Sequence, residues 1–552
     1  MTGARWLRAL PLAGALLACG AASDEKQPAT ASAGSGGGAS TPGPEPSALC
    51  GTSTLGAPRL RRLSRAELTR TLAAVFSEAQ PGPQAWSLTF SADPISPHGF
   101  DNDAALLVVG NQQAAELDAA GDAVGAAVSG PALPALLPCA ASTTDAACAR
   151  QFIDKYGKRL FRRALTADEA ARYVALFEQA SAAVDFATGI RYVTRALVQS
   201  PHAVYRREVG TESGGVYTLT PQEVATELAY DFTGTAPSDA LLAKAEAGQL
   251  ATPAAREAQA RELLLSEPGL RTVERFFDGW LGYGRAASMA KPGVSEFTGL
   301  RDAMVGEARR FLGEVVVAQN GGLRELLTAP FTTPTTALAA FYGFPAPASD
   351  YAATLRPAGR GIGILAQGAL LAAYSGPSAS SPTKRGVLVM ERLLCRSKPT
   401  VPADVPVLSA AEPGNFTTRQ HYETIHAKQA SCKACHSRFD PIGFGFEHYD
   451  QVGRYRDLDG GLPVDSASYL PSADGTAHLF EFQNLEQLAQ GLAAQSEPYA
   501  CATGYVSTYV FGAAEGCLAE GKRAAFGKGE VGFLDYLASL AAEPHFSQRR
   551  LP

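Results

Sequence analysis

Residues 432–436 read Cys432-Lys433-Ala434-Cys435-His436, a C-x-x-C-H motif in a chain of 552 residues. The spacing places two thiols about one helical turn apart, where each can form a thioether with one vinyl group of the same porphyrin. The imidazole after the second cysteine is then carried beneath the iron. The motif predicts one covalent haem c, with Cys432 and Cys435 as its attachment points and His436 as the proximal iron ligand.

Other meanings of the motif depend on the compartment, because a C-x-x-C pair also forms zinc half-sites and redox dithiols. The start of the chain favours export. Arg5 and Arg8 precede an apolar run, residues 9–18, that is too short to span a bilayer. The run ends in Leu16-Leu17-Ala18-Cys19, which is similar to a bacterial lipobox with Cys19 as the lipidated residue.

Residues 1–19 are therefore predicted to be a lipoprotein signal peptide, and an ordinary signal peptide with a coincidental cysteine is the alternative. Residues 20–55 are rich in Ser, Gly, Ala and Pro, cannot bury a core, and are predicted to form a disordered tether. We expect an exported protein, lipid-anchored in the cell envelope on the periplasmic or cell-surface face of the outer membrane. Its only membrane contact would be the lipid anchor.

The remaining cysteines fit an oxidising compartment. Nine cysteines, less Cys19 and the haem pair, leave six, and an even number predicts three disulfides. Cysteines close in sequence pair most simply with each other, and the last two pair by elimination, with buried free thiols as the alternative for that last pair. The predicted disulfides are Cys139–Cys148, Cys501–Cys517 and Cys50–Cys395.

Composition limits the fold and the partners. Hydrophobic residues make up 46% of the chain, which is typical of globular proteins, and the length calls for two to four modules. The formal net charge of -6 provides no basic face, so we expect no nucleic-acid partner. The sequence contains no Ser/His/Asp hydrolase motif, phosphate loop or H-E-x-x-H zinc motif.

Three helix starts share one pattern: a leucine, then a serine or threonine, then a glutamate three residues later. This pattern predicts a capping box, in which the hydroxyl and the glutamate each satisfy a backbone N–H at the helix start. The three starts are Leu63-Ser64-Arg65-Ala66-Glu67, Leu165-Thr166-Ala167-Asp168-Glu169 and Leu219-Thr220-Pro221-Gln222-Glu223. Apolar residues at helical spacing follow each start. We predict a mainly α, multi-module helical protein with a cytochrome-c-like haem segment and a small β-hairpin near the C-terminus, formed by residues 463–470 and 479–482.

The segment after the motif reads Asp440-Pro441-Ile442-Gly443-Phe444-Gly445-Phe446-Glu447-His448-Tyr449-Asp450-Gln451-Val452-Gly453-Arg454-Tyr455-Arg456. With the C-x-x-C-H before it, this segment resembles a family of secreted bacterial proteins built from consecutive domains of unknown function, whose next-to-last domain carries a cytochrome-c-like motif. Further matches occur in the expected order at residues 60–67, 159–163, 219–228 and 381–386. The resemblance covers nearly the whole mature chain. It implies a haem and a modular fold, and it indicates no substrate.

The modules are delimited by the helix starts and the matching segments. After the signal peptide and tether we predict an N-terminal helical module at 56–150, a second helical module at 151–212, a central helical module at 213–353, a C-x-x-C-H haem-binding module at 354–458 and a C-terminal module at 459–552.

The resemblance also suggests residues around the haem. A histidine six residues before the first haem cysteine recurs in the family, so His426 is the first candidate for a distal iron ligand or a hydrogen bond at the haem edge. His448 is the second candidate, His421 is also close in sequence, and an open sixth position is the alternative.

Two arginines are candidates to pair a haem propionate, Arg385 and Arg456, since a guanidinium matches a carboxylate geometrically. Asp440, Glu447 and Asp450 would then help to shape the haem pocket. The alternative is that Asp440 caps a turn with Pro441, and that Asp450 and Arg456 form a salt bridge that holds the fold.

Three functions remain open at this stage. The preferred one is a cell-envelope c-type haem protein that transfers electrons to or from an unknown redox partner, with the helical modules as scaffold or docking surface. The first alternative is a peroxidase-like or oxidase-like haem enzyme that acts in a cleft between modules. The second is a non-haem surface binding module with a structural metal or disulfide at the C-x-x-C. The sequence does not decide whether the protein is an enzyme.

Overall fold

The capping boxes start three helices in the computed structural model, which describes residues 55–79, 88–399, 416–428, 430–512 and 520–550. At each start the Ser or Thr side chain accepts a hydrogen bond from the backbone N–H of the glutamate, whose carboxylate accepts one from the backbone N–H of the cap. The predicted starts at Ser64, Thr166 and Thr220 are therefore confirmed.

Several predictions lie outside the described residues. These are the signal peptide at 1–19 with Cys19, the tether except for its last residue, and the cysteines Cys50 and Cys517. All described residues belong to one compact unit, Gly43–Pro552.

Helix makes up 57% of the structure, and the strands form only short antiparallel pairs, so the mainly α prediction is correct. The helices of the first part of the chain are α1 Arg65–Val75, α2 Asn111–Val128, α3 Leu133–Leu136, α4 Ala146–Phe161, α5 Ala167–Ala183, α6 Phe186–Gln199 and α7 Pro201–Val204. They are followed by α8 Pro221–Thr233, α9 Asp239–Glu246, α10 Pro253–Leu264, α11 Glu267–Leu281, α12 Phe297–Leu312, α13 Leu323–Thr328, α14 Thr336–Tyr342, α15 Gly368–Ala373 and α16 Pro382–Leu388. The last group is α17 Thr418–Lys428, α18 Ala430–His436, α19 Asp440–Phe444, α20 Leu485–Ala494, α21 Glu497–Phe511, α22 Glu520–Gly527, α23 Phe533–Ser539 and α24 Pro544–Ser547.

The strands connect distant parts of the chain as well as neighbouring ones. They are β1 Leu60–Arg62, β2 Tyr205–Arg207, β3 Thr211–Ser213, β4 Val216–Thr218, β5 Phe331–Thr332, β6 Thr354–Leu355, β7 Leu458–Asp459, β8 Leu462–Pro463, β9 Ser468–Pro471, β10 His478–Phe482 and β11 Gln548–Arg550. β1 pairs with β2, and β11 joins β4 and β3 in one three-stranded sheet. The last described residues thus pair with a strand from the middle of the sequence.

The predicted hairpin near the C-terminus is present with shifted bounds. β9 and β10 pair antiparallel, from Ser468 opposite Phe482 to Pro471 opposite His478. Pro463, which the sequence predicts to lie in the same hairpin, belongs instead to the two-residue pair of β7 and β8.

Apolar side chains gather into two cores among the described residues. The first core is built from α1 to α7 and includes Phe152 and Ile190, both fully buried. The second core combines Phe100 with residues between Leu219 and Phe546 and is centred on aromatic rings such as Trp280 and Phe276, also fully buried. The segment that carries the C-x-x-C-H motif packs against this second core.

Buried charges join the two cores. Arg206 on β2 donates hydrogen bonds to Glu227 and Asp231 on α8, and Arg61 on β1 lies 3.5 Å and 3.7 Å from the same two carboxylates. All four side chains are nearly inaccessible to solvent. Burial raises the pKa of Asp231 to about 6, against the lowering effect of Arg206. Removing one partner of such a pair leaves an uncompensated buried charge. The network therefore stabilises the packing of β1 and β2 against α8.

Two disulfides are present among the described residues, and one of them corrects the sequence analysis. Cys139 is joined to Cys148, as predicted. Cys395 is joined to Cys501 across 106 residues, so the predicted pairs Cys501–Cys517 and Cys50–Cys395 are wrong. The reason is tertiary: α21 packs against the π-helical segment Val389–Leu393, which places Cys501 beside the chain leading to Cys395.

A carboxyl group is buried in the second core. Glu307 is fully inaccessible, and its two oxygens lie 2.6 Å from Thr332 Oγ1 and 3.0 Å from the Tyr342 hydroxyl oxygen. Thr332 Oγ1 is also 3.0 Å from Gln367 Oε1, and its single proton cannot serve both acceptors. A protonated Glu307 resolves this conflict by donating to Thr332, and burial indeed raises the pKa of Glu307.

We therefore expect Glu307→Gln to preserve stability, because the amide donates to Thr332 and accepts from Tyr342 as the protonated acid does. Glu307→Leu should cost about 1–3 kcal/mol, since it removes the acceptor of a buried hydroxyl. A carboxyl whose folded-state pKa is raised loses its stabilising contribution as the pH rises through that pKa. The stability of the Gln variant relative to the parent should therefore increase as the pH rises. Denaturant unfolding at several pH values measures this difference. A Gln variant as unstable as the Leu variant at acidic pH would contradict the protonated form.

Candidate functional site

The C-x-x-C-H motif lies on one short helix, α18, which follows α17. Cys432 and Cys435 are partly exposed and, among the described cysteines, are the two that form no disulfide. Cys435 also packs against the second core. The two thiols are one helical turn apart and His436 follows on the same helix, which is the arrangement that covalent haem attachment requires.

His436 is oriented by a carboxylate on the next turn of chain. Its Nδ1 lies 3.0 Å from Asp440 Oδ2. A carboxylate only accepts hydrogen bonds, so Nδ1 carries the proton and Nε2 is the nitrogen suited to bind iron. The imidazole also meets the ring of Phe439 edge to face, with 4.9 Å between centroids. Both contacts help to set the orientation of the ring.

The other oxygen of Asp440 is held by a threonine far away in sequence. Thr383 Oγ1 donates to Asp440 Oδ1 at 2.6 Å, and Asp440 is only 5% exposed. The carboxylate is thus fixed on one side by Thr383 and on the other by His436. Thr383, Asp440 and His436 form what we call the proximal triad.

Two glycines bring the members of the triad together. A Cβ on Gly386 of α16 would lie 1.9 Å from the carbonyl oxygen of Phe439, and a Cβ on Gly443 of α19 would lie 1.9 Å from that of Pro382. Any side chain at either position would push α16 and α19 apart. The close contact of these two helices sets the distance between Thr383 and Asp440.

Arg385 points into the protein interior, which contradicts the prediction that it pairs a haem propionate. Its side chain is fully buried, and burial lowers its pKa to about 10. Its terminal nitrogens donate to the chain itself and lie 4.0 Å from the carboxylate of Glu447. The acceptors are the carbonyl oxygens of Leu371 at 3.3 Å, Phe446 at 3.1 Å, Tyr449 at 2.7 Å and Asp450 at 2.7 Å, and Ser375 Oγ at 2.9 Å. Arg385 therefore holds the loop after α19.

Arg456 is likewise engaged with protein groups. It donates to Glu447 Oε2 at 3.1 Å and to Ser380 Oγ at 3.0 Å, and it forms an ion pair with Asp459. These contacts match the predicted alternative of a fold-holding arginine and do not support a propionate contact. The predicted partner is wrong, however, because Asp450 pairs with Arg454 at 2.9 Å.

The candidate distal histidines differ in what the structure describes. His448 stacks on Tyr455 with 5.0 Å between centroids, and its Nδ1 lies 2.9 Å from the carbonyl oxygen of Arg456, so it helps to close the turn between them. His421 on α17 meets the ring of Tyr422. The side chain of His426 lies outside the described residues, so its role as an iron ligand stays a prediction.

The donor groups of these residues fit a c-type haem. Two partly exposed thiols lie on one helix, and the adjacent imidazole donates its Nδ1 proton to Asp440, which leaves Nε2 to bind iron. Within the described ranges no group of three or more His, Cys, Asp or Glu side chains could hold a metal ion by itself. The contact of Thr383 with Asp440 is not indicated by the sequence, although Thr383 lies in the segment 381–386 that carries part of the family resemblance. No sequence pattern pairs that threonine with an aspartate 57 residues later.

Four family models match the chain in order, and each is described as a protein of unknown function. They are PSD3 (DUF1587) at residues 61–129, PSD5 (DUF1595) at 148–208, PSD4 (DUF1592) at 219–344 and PSCyt3 (DUF1588) at 360–459. The resemblance to proteins made of consecutive domains of unknown function is confirmed to this extent, and the proximal triad lies inside the PSCyt3 match. No curated protein and no solved structure is similar enough to support a comparison. No helix in the described part of the chain is long and apolar enough to cross a membrane.

Proposed function

We propose that this protein of four consecutive modules of unknown function is a cell-envelope c-type cytochrome that transfers electrons through one haem, bound by Cys432, Cys435 and His436. The observation that carries the proposal is the placement of both thiols and the imidazole on α18, with His436 Nδ1 held by Asp440 at 3.0 Å. The name of the model that matches this segment, PSCyt3, points in the same direction.

The exposure of the site supports electron transfer. Because both thiols are partly exposed, a group attached to them lies near the surface of its module, where a partner protein can approach. Haem supplies a one-electron iron couple. In this proposal the two thiols would anchor the haem, His436 would bind its iron through Nε2, and Asp440 would keep the proton on Nδ1.

The compartment is part of the same proposal. Two disulfides among the described residues suit an exported protein, since thiols stay reduced in the cytosol. The lipobox-like segment that ends at Cys19 supports a lipid anchor. The export route also delivers the chain to the compartment in which c-type haem is attached.

The test is to express the exported chain in a host with c-type haem maturation, denature it, and look for haem on the polypeptide. We expect haem to remain with the chain after denaturation, because thioether bonds survive unfolding. A correctly exported chain without covalent haem would overturn the proposal.

A haem-dependent redox enzyme is the second candidate, and the carboxylate on His436 is the observation in its favour. An anionic partner makes the proximal imidazole a stronger electron donor, which assists chemistry at the iron as well as electron transfer. Carbon monoxide binding to the reduced protein separates the two. Rapid binding indicates an open sixth position and favours the enzyme, whereas no binding favours the carrier.

A further inference from the structure

The proximal triad places a charged acceptor beside His436, although a neutral acceptor is enough to orient the ring. A backbone carbonyl could also accept the Nδ1 proton, yet this chain uses a carboxylate at 3.0 Å that is only 5% exposed. Hydrogen bonds to an ionised acceptor are roughly twice as strong as those between neutral groups. The hydrogen bond therefore transfers negative charge toward the imidazole ring.

Iron bound to Nε2 experiences that charge. A more electron-rich ligand stabilises ferric iron more than ferrous iron, because the ferric state carries the larger positive charge. The carboxylate is close to the ring and largely shielded from water, so its effect is weakly screened.

We propose that Asp440, held in place by Thr383, is a positioning residue that lowers the reduction potential of the site by making His436 more electron-rich. This inference rests on the proposed function, since it requires iron on His436. It adds that the reduction potential of the site favours the ferric state. It also assigns part of this effect to Thr383 on α16, through its hydrogen bond to Asp440.

Thr383 has a defined part in this arrangement. Its hydroxyl donates a hydrogen bond to Asp440 Oδ1 at 2.6 Å, and this contact orients Oδ2 toward His436. The close contact of α16 with α19 at Gly386 and Gly443 brings the two partners within hydrogen-bond distance. Without the hydroxyl, the carboxylate can rotate and its hydrogen bond to His436 weakens.

A purely structural role for Asp440 predicts a different result. Asp440 is also the first residue of α19, where an acidic side chain stabilises the helix by itself. A structural residue changes unfolding when it is replaced and leaves the potential of the bound haem unchanged. The potential is therefore the measurement that distinguishes the two roles.

The experiment compares Asp440→Asn and Thr383→Val with the parent, each purified with its covalent haem. Haem per chain and the midpoint potential are measured by optical redox titration. Asp440→Asn should keep its haem and shift the ferric–ferrous equilibrium about tenfold toward ferrous, which is about 59 mV for a one-electron couple. Thr383→Val should shift it in the same direction by less.

Asp450→Asn is the matched control, since Asp450 lies in the same module but pairs with Arg454 at 2.9 Å. We expect its potential to equal that of the parent. An unchanged or lower potential in haem-loaded Asp440→Asn would overturn the inference, and so would an equal rise in the control. If Asp440→Asn does not fold, Thr383→Val decides by the same criterion. A parent without covalent haem would instead refute the proposed function, and this inference with it.

Discussion

Replacing both motif cysteines, in the double variant Cys432→Ala and Cys435→Ala, is expected to abolish covalent haem completely. Each thiol supplies one thioether, and no other described cysteine is available, since Cys139, Cys148, Cys395 and Cys501 are in disulfides. Haem retained on the denatured chain should fall to the background of a host without haem maturation. Each single variant should keep one thioether and show an altered haem spectrum.

The matched control removes two cysteines elsewhere. Cys139→Ala with Cys148→Ala deletes a disulfide between residues nine apart in sequence, in the first core. It should cost about 3 kcal/mol of unfolding free energy, by the entropy of a closed loop of this size, and leave the haem in place. Covalent haem in the motif double variant would show that the C-x-x-C-H is not the attachment site.

What the sequence predicted well depends on residues near one another in the chain. Ser64 and Glu67 form a capping box because three residues of helix always bring a cap and its glutamate together. Cys432, Cys435 and His436 share a helix for the same reason. Local geometry of this kind does not depend on the rest of the fold.

What the sequence did not predict depends on tertiary packing. Arg385 lies within the segment matched by the PSCyt3 model, and nothing in the sequence of that segment distinguishes a buried arginine from one that faces a ligand. Only the loop after α19, folded over the guanidinium, decides the matter. The partner of Cys501 is a similar case, because helix packing brings Cys395 next to it from 106 residues away.

The largest loss of stability is expected for Arg385→Met. The substitution removes the donors to the carbonyl oxygens of Tyr449 and Asp450, and it deprives the buried carboxylate of Glu447 of a nearby positive charge. Removing one partner of a buried ion pair costs about 3–5 kcal/mol. Denaturant unfolding should show a loss in this range. The loop after α19 should also become accessible to amide hydrogen exchange.

Arg454→Met is the matched control for this prediction. Arg454 is in the same loop and pairs with Asp450, but its side chain is 40% exposed. Asp450 keeps its hydrogen bonds from the backbone N–H groups of Val452 and Arg454 in this variant. A pair with one solvent-exposed partner contributes about 0–1 kcal/mol, so the variant should unfold almost like the parent. Equal losses in the two variants would mean that Arg385 does not organise the loop.

The pH dependence identifies the charge of Glu447 as the cause. Burial raises the pKa of Glu447, and Arg385 acts against that rise. Without Arg385 the folded-state pKa rises further, and a carboxyl with a raised pKa loses its stabilising contribution as the pH rises through that value. The deficit of Arg385→Met should therefore shrink at acidic pH, where Glu447 is protonated. Adding Glu447→Gln to Arg385→Met should recover part of the loss at neutral pH, because the neutral amide leaves no buried charge for Arg456 to balance alone. A deficit independent of pH, with no recovery in the double variant, would assign the whole effect to the lost carbonyl contacts.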